Sequence, residues 1–436
     1  MIEDAHPTIR APGVRRNASA AVASQLLNAG GSFVLQIAAA RTLGAKGYGS
    51  FALCTATLIL VSAVHSAWVG DTLTVLDRFD RDIRRALVTS QILSMAASAI
   101  VAVAVGLSIG HLSARGTTVF AALCAMWVLE ETGRRIFGAR LQFWQLVIND
   151  STYVAFTLLA ALASRLILHR VSLDALIASM GAGALAAVVA AMFQLPKEER
   201  TVPRPGLVAL GTVSSFALWR AGQAGLRPLS LLSMRILIVA FASRSALAAV
   251  EASRLALAPV IAFVGGASDF LLPLFAVDER HQRRSISVRT ATILMVGSVA
   301  AYGAVVVALS GELTHLLSAG SFRIERGTVV SWTAFTAAFA FGLPASAVLV
   351  ARRKPRAVFV ARLLDSILGT AVAAVLIVVA HPGFAPAGMA IGMALGGAVL
   401  YVLAVRPSPN EPRPDETVAE AEATDLAVVE IEAAPW

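Results

Sequence analysis

Charge is scarce in this chain. Asp, Glu, Lys and Arg make up 14% of its 436 residues, against roughly 25% in soluble globular domains. That shortage excludes a water-soluble enzyme, and a hydrophobic share of 57% excludes an intrinsically disordered chain. Cysteine is nearly missing as well. Cys54 and Cys124 both lie in apolar runs, without CxxC or metal-ligand spacing, so they read as small buried hydrophobes. The seven histidines are scattered and no two stand at ligand spacing; His65, near one end of the second apolar run, is the one worth following. There is no Walker lysine motif, no HExxH and no GxSxG. The expectation is therefore a protein that is not an enzyme and has no resident cofactor. Long polar stretches are missing too: the gaps between apolar runs reach only about 16 residues, which leaves no room for a large domain outside a membrane. The first 17 residues are polar and the first apolar stretch is too long for the h-region of a signal peptide, so none is expected.

What the chain does have is apolar length. Twelve segments can be marked, at 18–40, 50–69, 86–110, 117–136, 144–166, 172–194, 211–242, 246–275, 288–310, 328–350, 356–380 and 385–405. A membrane-spanning helix needs about 20 apolar residues. The fold expected is an all-α polytopic membrane protein of about twelve transmembrane helices.

The net charge of +9 conceals an asymmetry. Residues 407–436 hold eight acids and only Arg413 as a base, so that segment is −7 and the rest of the chain +16. A pI of about 10.4 would suggest nucleic acid, but the positive charges fall between apolar runs, and no nucleic-acid partner is expected. With the N-terminus placed inside, 24 of the 36 Lys and Arg collect on the inner side and eight on the outer side. Cytoplasmic loops are enriched in these residues, so both termini are expected in the cytoplasm. The organisation that follows is a cytoplasmic N-terminal segment (1–17), a first six-helix lobe (18–195), a cytoplasmic loop between lobes (196–210), a second six-helix lobe (211–405) and an acidic, Pro-rich, disordered cytoplasmic tail (406–436). A faint repeat supports two lobes: Arg134-Arg135 followed by Asp150 is echoed about 215 residues later by Arg352-Arg353, Arg362 and Asp365.

Charges inside spans are costly and mark functional positions. The seventh segment carries Arg220, Arg227 and Arg235, whose spacings of 7 and 8 put them on one broad helix face over about 22 Å. Pro228 beside Arg227 interrupts the helix there. In the eighth segment Glu251 and Arg254 stand at i, i+3 and can pair. The first segment adds Gln25, Asn28 and Gln36. Together these residues describe a water-filled, anion-preferring cavity, since the planar guanidinium fork binds phosphate oxygens bidentately. Coupling to a proton or sodium gradient needs a carboxylate within the membrane, and Glu130 and Glu251 are the candidates.

The stretch Ala40-Arg41-Thr42-Leu43-Gly44-Ala45-Lys46-Gly47-Tyr48-Gly49-Ser50-Phe51-Ala52 resembles the link between the first two spans of the polysaccharide (O-antigen/exopolysaccharide) flippases. These belong to the multidrug/oligosaccharidyl-lipid/polysaccharide (MOP) exporter superfamily. The specific motif covers residues 36–53, and the layout covers most of 15–405. In the second half, Met234 stands where the family often has an acid, and Ala249-Val250 where it has a Gly-Tyr pair. The resemblance implies two six-helix lobes around a central cavity in the bacterial cytoplasmic membrane. It implies alternating access for an undecaprenyl-pyrophosphate-linked oligosaccharide during polysaccharide biosynthesis, with membrane lipids and polysaccharide biosynthesis proteins as partners. Arg220, Arg227, Arg235 and Arg254 would hold the pyrophosphate. The alternatives are a drug/cation antiporter of the same superfamily, a membrane-embedded glycan transferase or polymerase, and a scaffold working through its tail.

Overall fold

The computed structural model describes residues 14–76, 79–169, 171–200, 203–281, 286–318, 324–352 and 354–406; the side chains of some residues within helices, Gln25 among them, lie outside that set. The acidic tail 407–436 falls outside the described residues. The described chain is all helical, with no strand in it.

Six helices form the first lobe: α1 (Val14–Thr42), α2 (Gly44–His65, continued by Ser66–Gly70 and Asp71–Val75), α3 (Arg81–Ser108), α4 (Ala114–Ala139), α5 (Phe143–Leu168) and α6 (Leu173–Gln194). The second lobe repeats the pattern with α7 (Leu210–Phe241), α8 in two halves (Arg244–Ala256 and Ala258–His281), α9 (Val288–Ala308), α10 (Arg326–Ala351), α11 (Pro355–Val379) and α12 (Ala385–Val405). Among the described residues, nine of these are long and apolar enough to cross a membrane by length and composition, and α8, bent by 58° between its halves, makes a tenth. At 1.5 Å per residue such helices exceed the roughly 30 Å of a hydrocarbon core. The two remaining, α1 and α4, are 29 and 26 residues long. Several helices start where a side chain caps them: Asp80 accepts from the amides of Asp82 and Ile83, and Ser113, Ser172, Ser243 and Ser287 do the same for α4, α6, α8 and α9. The eighth segment, read as one run, is broken at Leu257, and the second reaches past its expected end as a wider π-helical turn and a last short helix.

Packing is alike in the two halves. In the first, α1 lies on α5, α3 on α4, and α6 on α4 and α5; in the second, α7 lies on α11, α9 on α10, and α12 on α10 and α11. The lobes meet through α2, which packs on α7 and on the first half of α8. We call the end where α1 begins the near end and the α1–α2 turn the far end. At the far end the lobes are pressed together. Gly44 turns the chain with φ +64°, and at Gly49 a Cβ would collide with the Arg244 carbonyl of α8, so only glycine permits this approach. Arg41 donates to the Leu316 carbonyl, and Arg244 Nη1 lies 3.4 Å from Ser50 Oγ. Trp332 of α10, fully buried, donates to the Val250 carbonyl at 2.9 Å.

Candidate functional site

Below the far-end seal a cavity of about 620 Å³ opens between the lobes. The first lobe supplies most of its wall, with Asn28 and Gln36 from α1, Asp71 from α2, and Arg134 and Arg135 from α4; the second supplies Arg220, Arg235 and Arg254. Arg135 and Arg220, about half exposed, stand toward the near end.

Five arginines and one carboxylate therefore face this space. The matching acids stand behind the wall. Glu251 is clasped by Arg235, with Nε–Oε1 2.8 Å and Nη2–Oε2 3.3 Å, and by Arg254, with Nε–Oε2 2.6 Å. Arg254 also reaches across the lobe boundary to Gln36 Oε1 at 2.8 Å. Arg220 bonds Asp71, which joins α7 to α2 nearer the near end. Glu131 takes Arg134 Nη1 at 3.0 Å, Arg135 Nε at 2.7 Å and Ser66 Oγ at 2.6 Å. Arg134 Nε also bonds Asp150 at 2.8 Å, and Ser24 donates to the same carboxylate. A buried charge is tolerated only when paired and hydrogen-bonded. Buried carboxylates thus hold the guanidinium groups in place while donors not spent on them remain for an anion.

Glu130 differs from its neighbours. It is buried, accepts from Asn149 Nδ2 at 2.9 Å, and lies 3.9 Å from Arg134, whose closer partners are other acids. Glu251, by contrast, is bracketed by two guanidinium groups. His65 is buried with Nε2 2.9 Å from the Thr132 hydroxyl. Both cysteines are buried and unpaired.

The three arginines expected to form one stripe on α7 do not share one space. Arg220 and Arg235 line the large cavity, whereas Arg227 lines a separate pocket of about 180 Å³ inside the second lobe. The helix is sandwiched between α2 and α11, so a long side chain at the margin of the stripe can turn either way. Arg227 turns to α10, where its guanidinium carbon lies 3.4 Å from the centre of the Phe339 ring. Pro228, within α7, removes the amide that would bond the Ala224 carbonyl, and Ala224 lines the large cavity. Asn28, Gln36, Arg220, Arg235 and Arg254 come together there; Gln25 lies outside the described side chains. Asp71, Arg134 and Arg135 are cavity residues that a sequence reading assigns to span ends and inner loops. The only signal for them was the Arg134–Asp150 spacing of the repeat.

No protein-family model matches the sequence, and no characterised protein matches it in sequence. Solved structures do match in shape. The lipid II flippase MurJ, in an inward closed conformation, aligns with TM-score 0.70 at 12% identity over 90% of this chain and 88% of that one. A multidrug resistance MATE family transporter of the MOP superfamily, inward-facing, aligns with TM-score 0.68 at 11% identity over 87% and 93%. This chain has the MOP transporter fold. An outward-facing MATE transporter of that superfamily aligns with TM-score 0.56 at 12% identity over 89% and 94%. The all-α polytopic architecture holds, and so does the fold implied by the resemblance at residues 36–53. The protein is a multi-pass membrane protein built like transporters and flippases.

Proposed function

We propose that the protein flips a lipid-linked oligosaccharide, carried on a polyprenyl pyrophosphate, across the bacterial cytoplasmic membrane for polysaccharide biosynthesis. The observation that carries this reading is the arginine-lined cavity at the lobe boundary. Arg135, Arg220, Arg235 and Arg254 offer guanidinium N–H groups to an anionic headgroup, and a pyrophosphate is the ligand that uses several of them at once. Asn28 and Gln36 supply neutral polar groups for a sugar. The lipid tail stays in the bilayer. The arginine bias of the loops puts the near end in the cytoplasm, so this cavity is loaded from inside and the lobes rock to release outward. Glu130 is the carboxylate that takes a coupling proton or sodium ion, because its neighbours leave its charge least compensated.

Vesicles containing the purified protein test this with a fluorescent polyprenyl-pyrophosphate oligosaccharide loaded in one leaflet. Losing one charge-assisted hydrogen bond costs about 1.5–3 kcal/mol, so Arg254→Gln slows translocation about tenfold or more. Glu130→Gln removes the dependence on an imposed proton or sodium gradient. Transport of cationic dyes without movement of the lipid-linked sugar would replace this reading with a drug antiporter.

A further inference from the structure

The pocket of the second lobe is a separate site. It lies between α7, α10, α11 and α12 and is lined by Gln223, Arg227, Ser230, Phe339, Arg362 and Asp365, among others. Arg227 sits near the middle of α7, at a depth where an isolated charge is expensive. Among the described residues it donates no hydrogen bond and meets no carboxylate, and its Nε is buried without a partner. The Phe339 ring face compensates part of the charge but takes no N–H bond in the guanidinium plane.

The other groups do not neutralise it. Asp365 is engaged by Arg362 Nη1 at 3.0 Å, and Ser366 adds a bond at 3.3 Å. Arg362 Nη2 donates to Ser346 Oγ at 3.1 Å, which leaves further N–H groups of Arg362 free to turn to the pocket. Gln223 accepts from Arg220 Nη1 at 3.3 Å through its amide oxygen, so its NH₂ remains as a donor. Ser230 spends its proton on the Leu226 carbonyl. Two guanidinium groups and one carboxylate leave this pocket with a formal charge of +1.

We infer that this pocket binds one small monovalent inorganic anion, of the chloride class, between Arg227 and Arg362. Its charge cancels the excess, and the donors face it from α7 and α11. A volume of about 180 Å³ holds a halide with a few waters, and is far below the space a glycan headgroup needs. Arg227, which by sequence alone belongs with the pyrophosphate ligands, is assigned instead to this site.

The test uses the full-length protein in detergent at constant ionic strength, with chloride or bromide exchanged for gluconate. A ligand that binds the folded state raises Tm with its concentration. The expected result is a halide-dependent rise in Tm that is lost in Arg227→Gln, kept in Arg227→Lys, and kept in Arg254→Gln of the large cavity. No halide dependence in the wild type, or dependence that survives Arg227→Gln, overturns the assignment. If Arg227→Gln does not fold, anomalous diffraction from wild-type crystals grown in bromide decides: a peak between Arg227 and Arg362 supports the site, and its absence there refutes it. The outcome is independent of whether the large cavity carries a lipid-linked sugar.

Discussion

Each lobe buries a charged cluster between its first, fourth and fifth helices, and the two clusters have opposite sign. In the first lobe Ser24, Glu130, Glu131, Arg134, Arg135, Asn149 and Asp150 make a network of three acids and two arginines. In the second, Arg227, Arg362 and Asp365 make two arginines and one acid. The helices pair in the same way in both. Helix pairing is thus set by the apolar and small residues of the faces, which tolerate a change of sign in the polar groups they enclose. The first cluster is tightly bonded and borders the large cavity. The second is loose and borders its own. A lobe with one carboxylate in excess suits a cation, and a lobe with one guanidinium in excess suits an anion.

Four substitutions would break or sharpen this contrast. The largest effect is expected from Glu131→Ala. It takes from Arg134 and Arg135 the carboxylate that links them, and breaking a buried pair costs about 3–5 kcal/mol; Arg134 keeps Asp150 at 2.8 Å, which puts the loss at the lower end. Thermal unfolding in detergent measures it, and a loss below about 1 kcal/mol would mean the first cluster is no tighter than a surface pair. Next come paired glycine substitutions, one per lobe. In the second lobe Gly392 on α12 lies so close to α11 that a Cβ would be 2.7 Å from the Gly369 Cα. Gly392→Ala is expected to destabilise by about 1–3 kcal/mol through overpacking. In the first lobe Gly181 on α6 has open space at the Cβ position, and Gly181→Ala is expected to stabilise by up to about 1 kcal/mol through helix propensity. Equal effects at the two sites would show that the space at the Cβ position does not decide which glycine tolerates a methyl group. The smallest effect on stability is expected at the link between lobes. Arg220–Asp71 is half exposed, so Arg220→Gln costs about 1 kcal/mol or less. Its consequence is access: thiol labelling of a cysteine placed at Ser62, on the cavity wall, speeds up when the link is cut. Unchanged labelling would show that Arg220–Asp71 does not restrict entry.

Much of the architecture was legible because it rests on local features. Apolar runs of the right length mark spans whatever their neighbours do. The Gly44 and Gly49 positions of the first turn are readable because a left-handed φ and a backbone-to-backbone approach both demand glycine. The Glu251–Arg254 pair was readable because i, i+3 neighbours share a helix face. The break at Leu257 was not, because both halves of α8 are apolar enough to read as one run. Nor was the divergence of Arg227 from Arg220 and Arg235, since helical spacing places a side chain on a face and says nothing of which neighbour covers it.

The chain by itself determined that this protein lives in a membrane as a bundle of helices in two related halves, because hydropathy, loop charge and glycine placement act over a few turns. Only the tertiary structure decided which arginines share a cavity and which acids hold them. Arg254 meets Gln36 across 218 positions and Arg220 meets Asp71 across 149, and contacts at that separation depend on how helices pack.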